Sequence, residues 1–408
     1  MASAPPIGDG RSVVFLLNLV QDVNILRPLI YLTARETGAQ VRLLVSDAFR
    51  KRDRQKIWQR EVAALANASD ASLHLYGSPA EALTVLAGGS GMIFAASESN
   101  LPAHHETSGV FEAAPSTYLR VTLQHGLECI GFVQSREHTM SHGRKVSFSA
   151  DVVCSWFEPQ SLSSLTASER SKLYVTGPPT LLQQTSAHPD KSPGTEGLVC
   201  ENMHSVRLRA SGDHKSSFME TFQAFCAAME ARGETVTLRP HPGGQYVLKN
   251  KVDLPRNVKL NMLPLYEMDL GAYTFGISAP STIIFDMVLA GIPVAVWRDP
   301  AGVMDASNYD GLTEISTLDD WLAFERDVRL RPTMILERQR TFVQRLHMPT
   351  DPDEIYRRFA RLIVAALAGL PGDALARRSE AARRQSSTKS VAPRPAALSG
   401  NLLVEAAP

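Results

Sequence analysis

The amino-acid sequence predicts an α/β protein of two Rossmann-like domains facing each other across a cleft, and three observations carry that prediction. At 408 residues the chain exceeds one ordinary domain of roughly 150 residues and suits two domains plus a tail. Short apolar runs alternate with helical patterns in both halves, as in βαβ units built on a parallel sheet. Between the halves, the stretch TSAHPDKSPGTE has almost nothing to bury and reads as a linker. The expected division is an N-terminal α/β domain over 1–182, a linker over 183–196, a second α/β domain with C-terminal helices over 197–370, and a tail over 371–408.

In the first domain, residues 12–19 form an apolar run suited to a buried strand, and 24–37 form a helix closed by Gly38. Further strands are expected over 41–46, 72–76, 92–95, 118–123, 152–155 and 173–175, where branched and aromatic residues cluster between polar breaks. Helices are expected over 54–66 and 79–87. The second domain repeats the alternation, with strands over 198–201, 235–239, 258–260, 272–277 and 293–297. Its helices are expected over 216–232, ended by Gly233, over 282–290, and across a helical region from 318 to about 367. The tail is rich in Ala, Arg, Ser and Pro, with six basic residues against three acidic, and reads as disordered.

The composition excludes several classes. With 44% hydrophobic and 21% charged residues, and 42 basic against 42 acidic, the chain is neither intrinsically disordered nor a generally basic nucleic-acid binder. Cys129, Cys154, Cys200 and Cys226 are far apart, without a CxxC pair or zinc spacing, and are expected as buried free thiols in a reducing compartment. His104, His105 and Glu106 are the densest group of metal-capable side chains, but neighbours on a loop point apart, so no metal site is expected. Neither a GxGxxG after the first strand, nor a GxxxxGK[ST], nor a GxSxG occurs, which argues against dinucleotide oxidoreductases, P-loop NTPases and nucleophile-elbow hydrolases.

The N-terminus carries no basic leader, and the apolar stretch 283–297 is broken by Asp286, Gly291 and Pro293, so neither a signal peptide nor a spanning helix is expected. The expected location is the cytoplasm, with at most weak, salt-sensitive contact at the inner face of the membrane. Residues 355–364 set Arg357, Arg358 and Arg361 among large apolar residues at helical spacing. Such a stripe suits packing on the first domain better than lying on lipid, because a terminal docking helix needs the same pattern.

Three segments at strand exits carry the chemistry, since ligands of such sheets bind outside the carboxyl ends of the strands. In Gln124-His125-Gly126 a histidine follows an apolar run directly, and a histidine there can take a proton near neutral pH. In Arg239-Pro240-His241-Pro242 the prolines stiffen a loop from which Arg239 and His241 can donate to phosphate. In Ser278-Ala279-Pro280-Ser281-Thr282, ahead of a helical pattern, Ser281 suits the N-cap. The hydroxyls of Ser278, Ser281 and Thr282 suit a diphosphate.

These three segments, with Phe285-Asp286 and Gly291-Ile292-Pro293-Val294 running on to Trp297, resemble the CDP-glycerol glycerophosphotransferase and capsular polysaccharide transferase group, which includes the Kdo transferases and the bacterial polysialyltransferases. The resemblance is clearest over 198–299 and touches the first domain mainly at His125. It implies the GT-B architecture, a nucleotide-activated donor, often a cytidine one, and a polysaccharide or lipid-linked acceptor, without a cofactor or nucleic acid. It also implies His125 as the catalytic base, and His241, Ser281 and Thr282 on the donor phosphates. The stretch after His-Gly reads Leu127-Glu128-Cys129-Ile130, where the glycerophosphotransferases tend to carry a lysine. Glu128 supplies a carboxylate close to His125 and is a second candidate base. The expected activity is metal-independent sugar transfer, with polyol-phosphate transfer and a catalytically degenerate assembly subunit as the alternatives.

Overall fold

The computed structural model describes residues 10–53, 56–143, 145–183, 196–203, 212–242, 244–372 and 375. Most of the linker and nearly all of the tail lie outside the described residues. The first half contains β1 (Arg11–Leu17), β2 (Gln40–Ser46), β3 (Ser72–Tyr76), β4 (Ser90–Ala95), β5 (Tyr118–Leu123), β6 (Val152–Ser155) and β7 (Leu173–Val175). These pair in parallel in the order β3-β2-β1-β4-β5-β6-β7. The second half contains β8 (Gly197–Glu201), β9 (Val236–Pro240), β10 (Val258–Leu260), β11 (Phe275–Ser278), β12 (Val294–Trp297) and β13 (Thr313–Ile315), all parallel in the order β10-β9-β8-β11-β12-β13. Both are doubly wound sheets, and their inner strands are near-continuous apolar runs because helices cover both faces: every residue of β1 after Arg11 is buried.

The helices are α1 (Asp22–Glu36), α2 (Asp47–Arg52), α3 (Ile57–Ala68), α4 (Pro79–Leu86), α5 (His105–Ala113), α6 (Arg136–His142) and α7 (Ala167–Arg170), then α8 (His214–Glu230), α9 (Tyr246–Lys249), α10 (Ile283–Leu289), α11 (Leu318–Leu330), α12 (Pro332–Leu346) and α13 (Pro352–Leu367). Periodicity misses α2, α5, α6, α7 and α9, which are too short to repeat a pattern. Local capping starts three of them instead: Ser46 Oγ accepts from Phe49 N ahead of α2, Ser135 forms a capping box ahead of α6, and Thr166 accepts from Glu169 N ahead of α7. The segment His104-His105-Glu106 is therefore not a loop, since α5 starts within it. All four cysteines are buried and unpaired.

The last helix belongs to the second segment by sequence but packs on the first sheet. Ile355, Phe359, Leu362, Ile363 and Leu367 of α13 are fully buried in the core that holds Val13, Phe15, Phe94 and Tyr174. Arg358 is tied down as well, donating to Val175 O at 2.8 Å and to Glu354, which leaves Arg357 and Arg361 exposed on the outer face. The apolar stripe thus faces protein. Among the described residues no helix is long and apolar enough to cross a membrane.

The two halves also share apolar packing where the carboxyl ends of their sheets meet. Trp156, just after β6, packs on Phe285 of α10 with ring centroids 5.9 Å apart, and one continuous cluster holds Leu127, Trp156, Ile284 and Phe285 together. A second contact joins α1 and α3 to the 265–267 turn: Tyr266 donates to Glu61 at 2.8 Å, and Arg27 lies 4.2 Å from the Tyr266 ring centroid.

Candidate active site

The chain leaves β5 into Gln124-His125-Gly126, and the loop is locked by the buried Gln124. Its amide accepts from Trp156 N at 3.0 Å and donates to Gly126 O at 2.9 Å, so one side chain ties the exits of β5 and β6 together. His125 projects from this loop. Burial pushes its imidazole down to about 4, which keeps it neutral and unprotonated at physiological pH. Two residues close on the ring. Cys129 Sγ lies 3.3 Å from Nδ1, and the ring of His104 meets it at 88° with centroids 6.2 Å apart. His104 is itself neutral, pushed down to about 3 by burial and by the neighbouring His125.

The His-Gly loop touches the second domain directly. Thr282 Oγ1 accepts from Leu127 N at 3.0 Å, and Gly126 leaves room for that approach: a Cβ there would sit 2.7 Å from Thr282 Oγ1. The expectation that Ser281 caps the following helix is corrected. The cap position is Thr282, helical in backbone and without a side-chain cap bond, because its hydroxyl reaches across to the first domain. Thr282 is therefore an interdomain bridge in this conformation, with its own hydroxyl proton not used in that bond. Gly126→Ala is expected to cost about 1–3 kcal/mol of stability by overpacking this contact. The same change should cost less in a Thr282→Ala background, which chemical denaturation of the four proteins measures. Equal costs in both backgrounds would mean that the two residues do not press on each other.

Glu128 is a second bridge. Its carboxylate accepts from Asn308 Nδ2 at 2.5 Å and from the Tyr309 hydroxyl at 3.4 Å, both from the second domain. Burial raises it to about 8, so it holds a proton through much of the neutral range. In this conformation both oxygens of the carboxyl are engaged by the second domain. Nearby, Asp305 accepts from Arg136 N at 2.9 Å and adds a further polar link between the halves.

On the donor side, His241 follows β9 and is half-buried. Its Nδ1 accepts from Gly244 N at 3.2 Å, which puts the ring proton on Nε2 as a donor. Arg239 does not join it. The guanidinium is buried and donates to Leu263 O at 2.6 Å, with Met268 Sδ 2.9 Å away, so it braces the 263–268 turn under the sheet end. Burial lowers Arg239 and raises the facing Asp286 to about 7. Ser278 is likewise removed from donor contact: it is fully buried and its hydroxyl donates to Ala279 O at 2.6 Å. Ser281 lies in the turn between β11 and α10, at the edge of burial. Sequence reasoning missed Gln124, Cys129, His104, Asn308 and Tyr309 as parts of the site. Only Gln124 carried a signal, its place in the strand-exit segment. Among the described residues no cluster of three or more His, Cys, Asp or Glu side chains could hold a metal ion.

No protein-family model and no curated protein sequence matches the chain. Solved structures do share its fold. The Wall Teichoic Acid Polymerase TagF superposes with a TM-score of 0.58 at 10% identity, over 89% of this chain and 90% of that one. The UDP-GlcNAc 2-epimerase from Neisseria meningitidis bound to UDP-GlcNAc gives 0.51 at 12% identity, over 88% and 100%. Two parallel sheets and these likenesses identify the fold as GT-B, two Rossmann-like domains facing a cleft.

Proposed function

We propose that the chain transfers a group from a nucleotide-activated donor to an acceptor hydroxyl, most specifically a sugar from a CMP- or UDP-linked donor to a bacterial surface polysaccharide or its lipid-linked precursor. One observation carries this reading: a histidine kept neutral by burial stands on a strand-exit loop that meets the second domain, where a general base would have to stand. In the reaction His125 takes the acceptor proton as the hydroxyl oxygen bonds to the sugar carbon. The bond from that carbon to the nucleotide phosphate breaks, and the charge left on the phosphate is met by the Nε2–H of His241 and the hydroxyl of Ser281. The teichoic acid polymerase and the epimerase share this fold, so fold alone does not choose among these chemistries.

The test is thermal unfolding with CMP-, CDP- and UDP-linked donors, including CDP-glycerol, because a ligand of the native state raises the melting temperature. A shift with a sugar nucleotide supports the reading, a shift with CDP-glycerol alone favours polyol-phosphate transfer, and no shift with any of them favours an inert scaffold. His241→Ala is expected to weaken the active nucleotide by about 1.5–3 kcal/mol, or roughly 10- to 100-fold, with the fold intact, since it removes a hydrogen bond to a charged group. Unchanged affinity in titration calorimetry would take His241 out of the site.

A further inference from the structure

Cys129 has no part in the proton transfer, yet its sulfur lies 3.3 Å from Nδ1 and 3.7 Å from Nε2 of His125. Contact with both nitrogens places it against the ring, not at the end of a single N–H. The thiol is buried and pushed up to about 12 by that burial, so it is a neutral S–H with neither thiolate nucleophilicity nor charge. Its backbone is pinned: Cys129 N donates to Val133 O at 2.6 Å, and its carbonyl accepts from Phe132 N at 2.9 Å. The other neighbour of the ring, His104, is fixed by Ser99 Oγ, 2.7 Å from its Nδ1. Glu128, the remaining titratable group beside the loop, is turned to Asn308 and Tyr309.

We propose, resting on the reading of His125 as the base, that Cys129 is a positioning residue for it: the sulfur against the ring, with the perpendicular His104 ring beside it, fixes the rotation of the imidazole toward the acceptor hydroxyl. Both neighbours are uncharged, so the clamp orients the ring without stabilising imidazolium. A carboxylate in place of the sulfur would orient it too, but would draw a proton onto it. Removing the sulfur leaves a gap beside two ring nitrogens that a water can enter, which frees the ring and solvates its charged form.

The test uses the full chain with Cys129→Ala and Cys129→Ser. Histidine ring NMR follows the titration of His125, whose signal is identified by its loss in His125→Gln. Turnover is read as nucleotide released from the CMP-, CDP- or UDP-linked donor that stabilises the protein. In Cys129→Ala the His125 titration is expected to move up by about one unit or more toward the ordinary histidine range. Its kcat should fall about tenfold with the donor KM unchanged, the behaviour of a misplaced catalytic group. Cys129→Ser, which refills the site with a neutral hydroxyl, should recover most of both. An unmoved titration in Cys129→Ala, or a moved titration with wild-type kcat, overturns the proposal. Wild-type turnover by His125→Gln overturns the base assignment instead, and the titration still tells a clamped ring from a free one.

Discussion

His125→Gln is expected to lower turnover by about 10²–10⁴-fold, the usual contribution of a general base, while the nucleotide still raises the melting temperature as in the wild type. Glutamine keeps hydrogen-bonding capacity and approximate size but cannot take the proton. The pH profile gives an independent check. Burial holds His125 at about 4, so kcat/KM, which reports the free enzyme, should stay flat from pH 7 to 5 and fall only near 4. A bound donor brings phosphate charge beside the ring and favours imidazolium, so the acid limb of kcat should lie at a higher pH. Stability has a matching sign. His125 and His104 are depressed to about 4 and about 3, so between those values and about 6.5 the unfolded chain binds more protons than the native one. The contribution of these two histidines therefore rises with pH across that window and is lost as pH falls through it, while Glu128 and Asp286, raised to about 8 and about 7 by burial, contribute with the opposite sign. An acid limb of kcat/KM near 6.5 would mean that the free ring is solvated, contrary to its burial.

Phe285→Ala is expected to cost about 3–5 kcal/mol, the range for deleting a buried aromatic. The side chain is 1% exposed and packs on Trp156 across the two halves. Its loss should do more than lower the melting temperature, because this cluster is what the two sheets share at their carboxyl ends. Calorimetry of Phe285→Ala should resolve two transitions where the wild type has one. Phe222→Ala is the control: that ring is also fully buried but lies inside the second domain's own core, so it should destabilise without dividing the transition. A loss under 1 kcal/mol, or two transitions in the control as well, would remove the special role of the shared core.

Most strands were readable from sequence because their signal is local. A parallel strand covered on both faces favours an apolar run, so 152–155 could be bounded to the residue, as could the more polar 118–123 and, at the sheet edges, 173–175 and 258–260. The same logic placed a histidine at the exit of β5 and another at the exit of β9. What was not legible depended on partners far away in the chain. Nothing near Thr282 in sequence shows that its hydroxyl meets Leu127, and nothing near Glu128 shows that Asn308 and Tyr309 meet its carboxyl. Nor does anything nearby in sequence show that the Arg239 guanidinium is buried and donates to Leu263 O.

By itself, then, the sequence determined two parallel α/β domains, the strand exits at which chemistry could sit, and the histidine at each exit, since apolar periodicity and breaker residues act within a few positions of themselves. Only the tertiary structure showed which polar groups hold the two halves together. A hydroxyl or carboxylate takes its role from the one partner within about 3 Å, and at Thr282 and Glu128 that partner is 155 and 180 residues away along the chain.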